Sequence, residues 1–562
     1  MSSKLQLTTL AVLVSAALPA QAALYKVVEV TNTGGVTGAE YYGTAIQPSG
    51  SEASCFTTDC EDGIAYALAG ETRNRAAGFS YREEVPFAMD NSFGYIKDNY
   101  DGFEYYCESQ LGYSTCEYWA STQWSGWNIE TYGTNTPNSL AFIDGSAEKP
   151  TDSINTVINS FSKVSGASST IAIGNYSNAT SRNVPISGDT LTDSASKEWK
   201  QGRQWASDGA YTVGSVSSKT GIGGERYNYF SKAVIWKNTD GSAVEIPWAH
   251  NDQQDGDYYA QGSMRDLYVD NTTSTFYGVG YNNYKDQHMN ATIFTAEIGA
   301  SDTLTNIKSI QINDAQVDAG DDNTNSNSVA TNINSNLVAV GQAKRSGNYP
   351  QNGAAANRLF IVPNASVTPP SANFLSDLAD AKSVFFNGAG GAMGGINNFN
   401  EIVGRVDVEN NREYDGKQRR QRAFIYPYNG NGTDVDRAKI FNNRAWIIDD
   451  LTNDGKVSGT TDNNNQFRIY DASDINDAGV ISATALKCSG GYDSTAHDAY
   501  CGNGEKKEKV VAVKLVPIAG AVLNPDDKRG YENRTIERQG GSLGFGAMTL
   551  LGLFGFMRKR IK

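Results

Sequence analysis

The chain has 562 residues, of which 39% are hydrophobic and 19% charged, with 62 acidic against 47 basic side chains and a net charge of −15. Its 21 Phe, 30 Tyr and 8 Trp are ample core material and exclude a disordered chain. A mean hydropathy of −0.45, with long apolar runs only at the two ends, excludes a polytopic membrane protein. Richness in Gly, Asn, Ser and Tyr favours many short strands joined by tight turns over a helical fold.

Residues 1–22 have the three parts of a secretory signal. Lys4 supplies the positive charge, Leu10 to Leu18 is apolar apart from Ser15, and Ala20-Gln21-Ala22 is a small-x-small box. This predicts cleavage between Ala22 and Ala23. A retained anchor is the weaker reading, because so short an apolar run cannot span a bilayer.

The stretch from Tyr95 to Tyr132 holds eleven aromatics in 38 residues, among them Trp119, Trp124 and Trp127. Glu104, Glu108, Glu117 and Glu130 are interspersed. Aromatic faces beside carboxylates suit sugar stacking, and a carboxylate pair about 5–9 Å apart is what glycoside cleavage needs. We read the stretch as a packed aromatic insertion in a repeat unit, with Trp119, Trp124 and Trp127 as candidate ligand-binding residues and catalysis by the glutamates as the alternative.

The middle of the chain repeats. Ile333-Asn334-Ser335-Asn336-Leu337-Val338-Ala339-Val340-Gly341 aligns with Ile396-Asn397-Asn398-Phe399-Asn400-Glu401-Ile402-Val403-Gly404 and, more loosely, with Ile475-Asn476 through Ala483. An aromatic or β-branched strand follows, at Arg358–Val362 and Arg422–Tyr426. Looser copies end at Gly214 and Gly280, so the anchors step by 66, 61, 63 and 79 residues. Each copy predicts a turn in which Asn, Asp or Gly tolerates the left-handed region, a short strand ending in Val-Gly, and a returning strand. About four strands per unit make one small sheet, which must stack face to face with its neighbours around an axis. The expected fold is therefore all-β, a β-propeller-like ring of about seven four-stranded repeats. A β-sandwich pair or an open solenoid is the alternative.

Searching for chemistry returns little. No His-Glu-x-x-His, P-loop or dinucleotide fingerprint occurs, and His250, His288 and His497 are scattered. Calcium is the one cofactor the acidic loops leave open, at Asp252, Asp255 and Asp257, at Asp318, Asp321 and Asp322, or from Asp450 to Asp454, where the twelfth position is Thr461 instead of Glu. The basic cluster Lys417, Arg419, Arg420 and Arg422 reads as a solvated loop paired with Glu413 and Asp415. Six cysteines fall into local pairs, Cys55 with Cys60, Cys107 with Cys116 and Cys488 with Cys501, which suits a disulfide-permissive compartment better than a zinc site.

The C-terminus reads Gly540-Gly541-Ser542, an apolar run to Met557, then Arg558-Lys559-Arg560-Ile561-Lys562. Sixteen helical residues reach about 24 Å, short of a ~30 Å hydrocarbon core. This end resembles the GlyGly-type sorting tails of Gram-negative bacteria that a rhomboid-family protease (rhombosortase) recognises. The resemblance implies cleavage near Gly540 and Gly541, transient inner-membrane anchoring, and delivery to the cell surface or medium. Without the signal and the tail the body carries −20, which disfavours nucleic acid and anionic lipid as partners.

The Ile-Asn-x-x-Asn/Gly-x-x-Val-Gly … Ala-Phe-Ile pattern is similar to the HAF-type extracellular repeats of bacteria, with Arg422, Arg358 and Lys232 where those repeats carry histidine. With both terminal signals, the chain resembles a family of secreted proteobacterial proteins of unknown function, which supplies no catalytic residues. The expected organisation is a signal at 1–22, a repeat domain at 23–526, a linker at 527–541 and a sorting tail at 542–562. The expected function is an exported, non-enzymatic binding or adhesion module without a required cofactor, matured by signal peptidase and a rhombosortase-type protease. A glycan-acting hydrolase using two convergent glutamates and a purely structural envelope component are the alternatives.

Overall fold

The structure, a computed structural model, describes residues 23–532 apart from 31–35, 51–52, 61–65, 78–80, 83–99, 106, 109–114, 133–136, 147–154, 164–170, 178–182, 187–200, 224–225, 251, 253, 256–257, 285–287, 317–327, 345–353, 355–356, 414–417, 457–463, 525 and 527. The signal and the sorting tail lie outside the described residues.

The chain forms a seven-bladed β-propeller of antiparallel sheets. The first blade is Glu40–Ile46, Leu68–Arg73 and Ser139–Ile143, and the second is Thr156–Phe161, Ala172–Tyr176 and Val184–Pro185. The third comprises Gln201–Ser207, Tyr211–Gly223, Arg226–Lys237 and Ala243–Glu245, and the fourth Ser263–Asp270, Thr275–Asn283, Met289–Ile298 and Leu304–Gln311. The fifth is Ser328–Ile333, Ala339–Lys344, Asn357–Val362 and Asn373–Phe374, and the sixth Gly391–Ile396, Glu401–Asp407, Gln421–Pro427 and Trp446–Ile447. The seventh takes Phe467–Ile475, Ile481–Lys487 and Lys509–Pro517 from the end of the chain and Tyr25–Glu29 from its beginning. Tyr25–Glu29 pairs with Lys509–Pro517 in an unbroken antiparallel register, from Tyr25 opposite Pro517 to Glu29 opposite Val513. The ring is closed by its two ends.

The repeat signature has a steric cause. In every blade the register between the first and second strands shifts at the same place, a β-bulge in the innermost strand, and in the seventh blade it shifts a second time. The residue of the second strand beside that bulge is Gly70, Gly174, Gly214, Gly280, Gly341 or Gly404, with Ala483 in the seventh blade. A Cβ on those glycines would lie between 1.8 and 2.7 Å from a backbone carbonyl of the innermost strand. On Gly341 and Gly404 the third-strand Phe360 and Phe424 rings also close over the space. The Val-Gly anchor is thus the mark of backbone approach at a bulge.

The Ile-Asn turn carries a second device. The fifth residue of each turn is left-handed, with φ of 60° at Leu337, 59° at Asn400 and 88° at Gly479. The Asn334 side-chain oxygen accepts from the backbone N–H of Asn336 and Val338, both at 3.1 Å, and Asn397 does the same for Phe399 and Glu401 at 3.0 Å. Their amide groups reach sideways. Asn334 donates to the Asn397 carbonyl (2.9 Å), Asn397 to the Asn476 carbonyl (3.1 Å), and Asn476 to the Gln47 carbonyl of the first blade (3.0 Å). One asparagine per turn therefore ties four consecutive blades together.

Between blades lie apolar layers. Val403, Ala423, Ile425 and Trp446 of the sixth blade pack on Ile469, Ala472, Ala483 and Val513 of the seventh, and Val279 and Ile293 of the fourth pack on Ala330 and Phe360 of the fifth. Each buried Val, Ile or Phe among them contributes about 1.5–3 kcal/mol. The three disulfides join the expected pairs, Cys55–Cys60, Cys107–Cys116 and Cys488–Cys501, each within a local loop. Such pairs, with no free cysteine, belong to an oxidising extracellular or periplasmic setting. Among the described residues no helix is long and apolar enough to cross a membrane.

Candidate functional site

A cavity of about 350 Å³ opens between the sixth and seventh blades. It lies on the face where the third strands of both blades begin. Gln421–Pro427 brings Arg420 and Arg422 to it, Phe467–Ile475 brings Arg468 and Tyr470, and the start of Lys509–Pro517 brings Glu508. The loop stapled by Cys488–Cys501 adds Tyr492, His497 and Asp498. The wall is basic in a chain whose net charge is negative.

The arginines are recessed. Arg468 is 1% exposed, its guanidinium 4.1 Å over the Tyr492 ring, with the terminal nitrogens donating to the carbonyls of Phe467, Ser494 and Ala496. Arg529, also buried, donates to the carbonyls of Asp449, Thr452 and Thr495 and shares the Asn465 side-chain oxygen with Arg468. Asp449, fully buried, is the carboxylate between them; its Oδ2 lies 3.2 Å from Arg422 Nε and its Oδ1 accepts from the Ile469 N–H at 2.7 Å. Burial, with Arg529 close by, pulls the Arg468 guanidinium down to about 10. Burial, then the hydrogen bond to Glu508, pushes the Tyr492 hydroxyl well up.

The segment 528–532 packs against His497 and Asp498 of the wall. The Arg529 N–H donates to Asp450 Oδ1 (2.9 Å), Asp450 Oδ1 also lies 3.0 Å from His497 Nε2, and the Tyr531 ring lies over His497 at 5.2 Å. Ser494 donates to Glu532 and the Glu532 N–H donates to Asp498.

The basic cluster read as a solvated loop is corrected here. Arg419 and Arg422 are 4% and 7% exposed, Arg419 just before the sixth blade's third strand and Arg422 at its start, both at the cavity wall. Their carboxylate partners are Asp407 and Asp449, and Arg420 pairs with Glu409. Glu413 accepts from the Arg419 backbone N–H; Lys417 and Asp415 lie outside the described residues. What sequence lacked was burial.

The aromatic stretch stands elsewhere, between the second and third strands of the first blade. It is helical, with a turn at 100–105 and a 17-residue helix Cys116–Tyr132 joined to it by Cys107–Cys116. Phe103 and Ala120 are fully buried and Tyr100 packs edge-on to Trp124 at 6.0 Å. Gly126 rests on the Ala77 carbonyl, which a Cβ would approach to 2.4 Å. Trp119 and Trp124 are half-buried, Glu108 and Glu117 point into solvent, and Trp127 lies one turn after Trp124. Glu104 is half-buried, and the side chain of Glu130 lies outside the described residues.

The acidic loops divide. Asp318, Asp321, Asp322, Asp257 and Thr461 lie outside the described residues, and Asp252 is exposed. Asp450 is engaged by His497 and Arg529, and Asp454 accepts from the N–H of Lys456 and Asn464. Among the described residues no group of three or more His, Cys, Asp or Glu side chains is placed to hold a metal ion.

Fold and cavity together define a disulfide-bearing seven-bladed propeller with one recessed basic pocket on an acidic body. The chain belongs to the family described as "Protein of unknown function (DUF3466)", whose model matches residues 210–560. No curated protein matches it. Among solved structures it is similar to a glucose dehydrogenase (8% identity, 52% of this chain and 90% of that one, TM-score 0.22) and to levansucrase from Bacillus subtilis (11%, 58% and 84%, 0.22). An α-L-arabinofuranosidase catalytic domain from Coprinopsis cinerea also matches (12%, 59% and 95%, 0.21). At these scores the likeness carries no functional information.

Proposed function

We propose that the protein is an exported, non-enzymatic propeller that binds a ligand in the pocket between its sixth and seventh blades and is directed to the cell surface or medium. The observation that carries the reading is a concave cavity between two blades and a stapled loop, whose Arg468 and Asp498 are already held by hydrogen bonds. Among the described residues that line it none is a Ser, Thr or Cys, and the Tyr492 hydroxyl, held by Glu508, is pushed well up by burial. Three local disulfides and the signal-like residues 1–22 support export. The Gly540-Gly541 tail supports maturation by signal peptidase and then a rhombosortase-type protease.

A glycan array probed with the purified protein, with and without chelator, tests this reading. Expected is retention of a defined ligand class, lost on substituting Arg420, and unchanged by chelator. Catalytic turnover of the retained ligand, or retention unaffected by Arg420→Gln, would overturn it.

A further inference from the structure

We infer that the pocket between the sixth and seventh blades receives a small acidic saccharide, its carboxylate on the arginine wall and its hydroxyls on Asp498 and Glu508. This rests on the reading of that pocket as the ligand site and adds the ligand's chemistry.

Four arginines and a histidine line the cavity against two carboxylates, Asp498 and Glu508. Behind the wall Arg468 and Arg529 are both buried beside a single buried carboxylate, Asp449, which Arg422 also approaches. Cations in such surroundings need a counter-charge, because burial penalises each of them and each raises the cost of the next. The penalty is visible in Arg468, whose guanidinium burial and Arg529 both weaken. Arg420, paired with Glu409 and partly exposed, is the guanidinium of this wall that a ligand in the cavity can reach. A carboxylate seated against this wall would accept from a fork of planar donors, which is what guanidinium groups recognise best.

The two acids exclude a bare anion. Asp498 accepts from the Glu532 N–H and Glu508 from the Tyr492 hydroxyl, so each carboxylate is held in place at the cavity wall. Phosphate or sulfate would meet these oxygens with repulsion, whereas hydroxyl groups would donate to them. The ligand must therefore join one anionic group to several hydroxyls on a compact frame. A uronic acid unit has that chemistry, and a cavity of about 350 Å³ stands at the small end of ligand sites. The negative charge of the body, −15 overall, disfavours long polyanions.

Isothermal titration of the purified full chain with D-glucuronate, D-glucose and inorganic phosphate separates these chemistries. D-glucuronate is expected to bind, with an affinity that falls as salt is raised. Arg420→Gln, at a partly exposed side chain, should weaken it about 10-fold or more. Arg358→Gln, an equal loss of charge on the fifth blade, should leave it unchanged. Equal binding of D-glucose would overturn the acidic character while keeping the pocket as a saccharide site. Tighter binding of phosphate than glucuronate would overturn the saccharide. If none of the three binds and an array ligand is indifferent to Arg420→Gln, both the inference and the pocket reading fall.

Discussion

A carbonyl 2.2 Å from where a Cβ would stand decides the residue at position 341. Gly341 sits between the Val329 carbonyl on one side and the Phe360 ring on the other, both within the blade's fixed sheet. Gly341→Ala should cost about 2–4 kcal/mol in denaturant unfolding, by overpacking with no flexible neighbour to yield. Gly50→Ala is the control, because a Cβ there meets nothing within 4 Å, and it should change stability by less than about 0.5 kcal/mol. Equal effects at the two positions would refute the steric account. A second residue reports on pH. Asp474 follows the bulge of the seventh blade, where its carboxylate accepts from the N–H of Ile46 and Ile475. Burial raises its carboxyl from 3.8 to about 6. A raised carboxyl binds its proton more tightly when folded, so its contribution is complete below pH 3.8 and is lost as pH rises through about 6. Asp474→Asn stays neutral. Its stability relative to the parent should rise by about 1–2 kcal/mol between pH 4.5 and 7.5, the full two-unit value being reduced by the partial exposure of the side chain. Parallel melting curves across that range would exclude the effect.

At the scale of the element, the turn asparagines matter more than the turns. Asn397 accepts two N–H groups of its own turn and donates to Glu401 and to the seventh blade. Glu401 in turn holds the buried Arg437 through both oxygens. Asn397→Ala should therefore destabilise by about 2–4 kcal/mol, since it leaves buried donors and one face of Glu401 unmet. Ser335→Ala, at an exposed turn residue that meets the sixth blade through its backbone N–H, should stay within about 0.5 kcal/mol. The same elements explain what could be read in advance. Bulge, glycine and asparagine recur with little variation, so the repeats from 205 onward were visible as a period. The first two blades were not, because the helical insertion before Ser139–Ile143 puts 104 residues between Gly70 and Gly174 and then only 40 before Gly214. The helices Val435–Ile440 and Ile448–Leu451 likewise stretch the last step to 79 residues.

At the scale of the whole molecule, the pocket escaped because its parts are far apart in the chain. Arg420, Arg468, Asp498 and Arg529 share no motif, and only the packing of two blades and residues 528–532 brings them to one place. Burial cannot be read from a run of basic residues. The disulfides, by contrast, were legible from proximity, and their scale sets an expectation. Each closes a loop within one blade or loop, while the ring is held by apolar layers and the asparagine ties. Reduction should leave the propeller folded and raise amide exchange only locally, around 488–508 at the pocket and 103–120 at the insertion. Global loss of protection on reduction, followed by hydrogen–deuterium exchange, would show instead that the staples hold the ring.

Tyr25–Glu29 gives the molecule its one long-distance debt. The first ordered strand has its only sheet partner nearly five hundred residues later, at Lys509–Pro517. Until that partner arrives, this five-residue strand has no ladder to join, and the last sheet lacks its outer edge. Folding of this protein must finish with an appointment between its earliest and latest segments, and a polypeptide threaded outward from one end keeps its circle open until the whole length has passed.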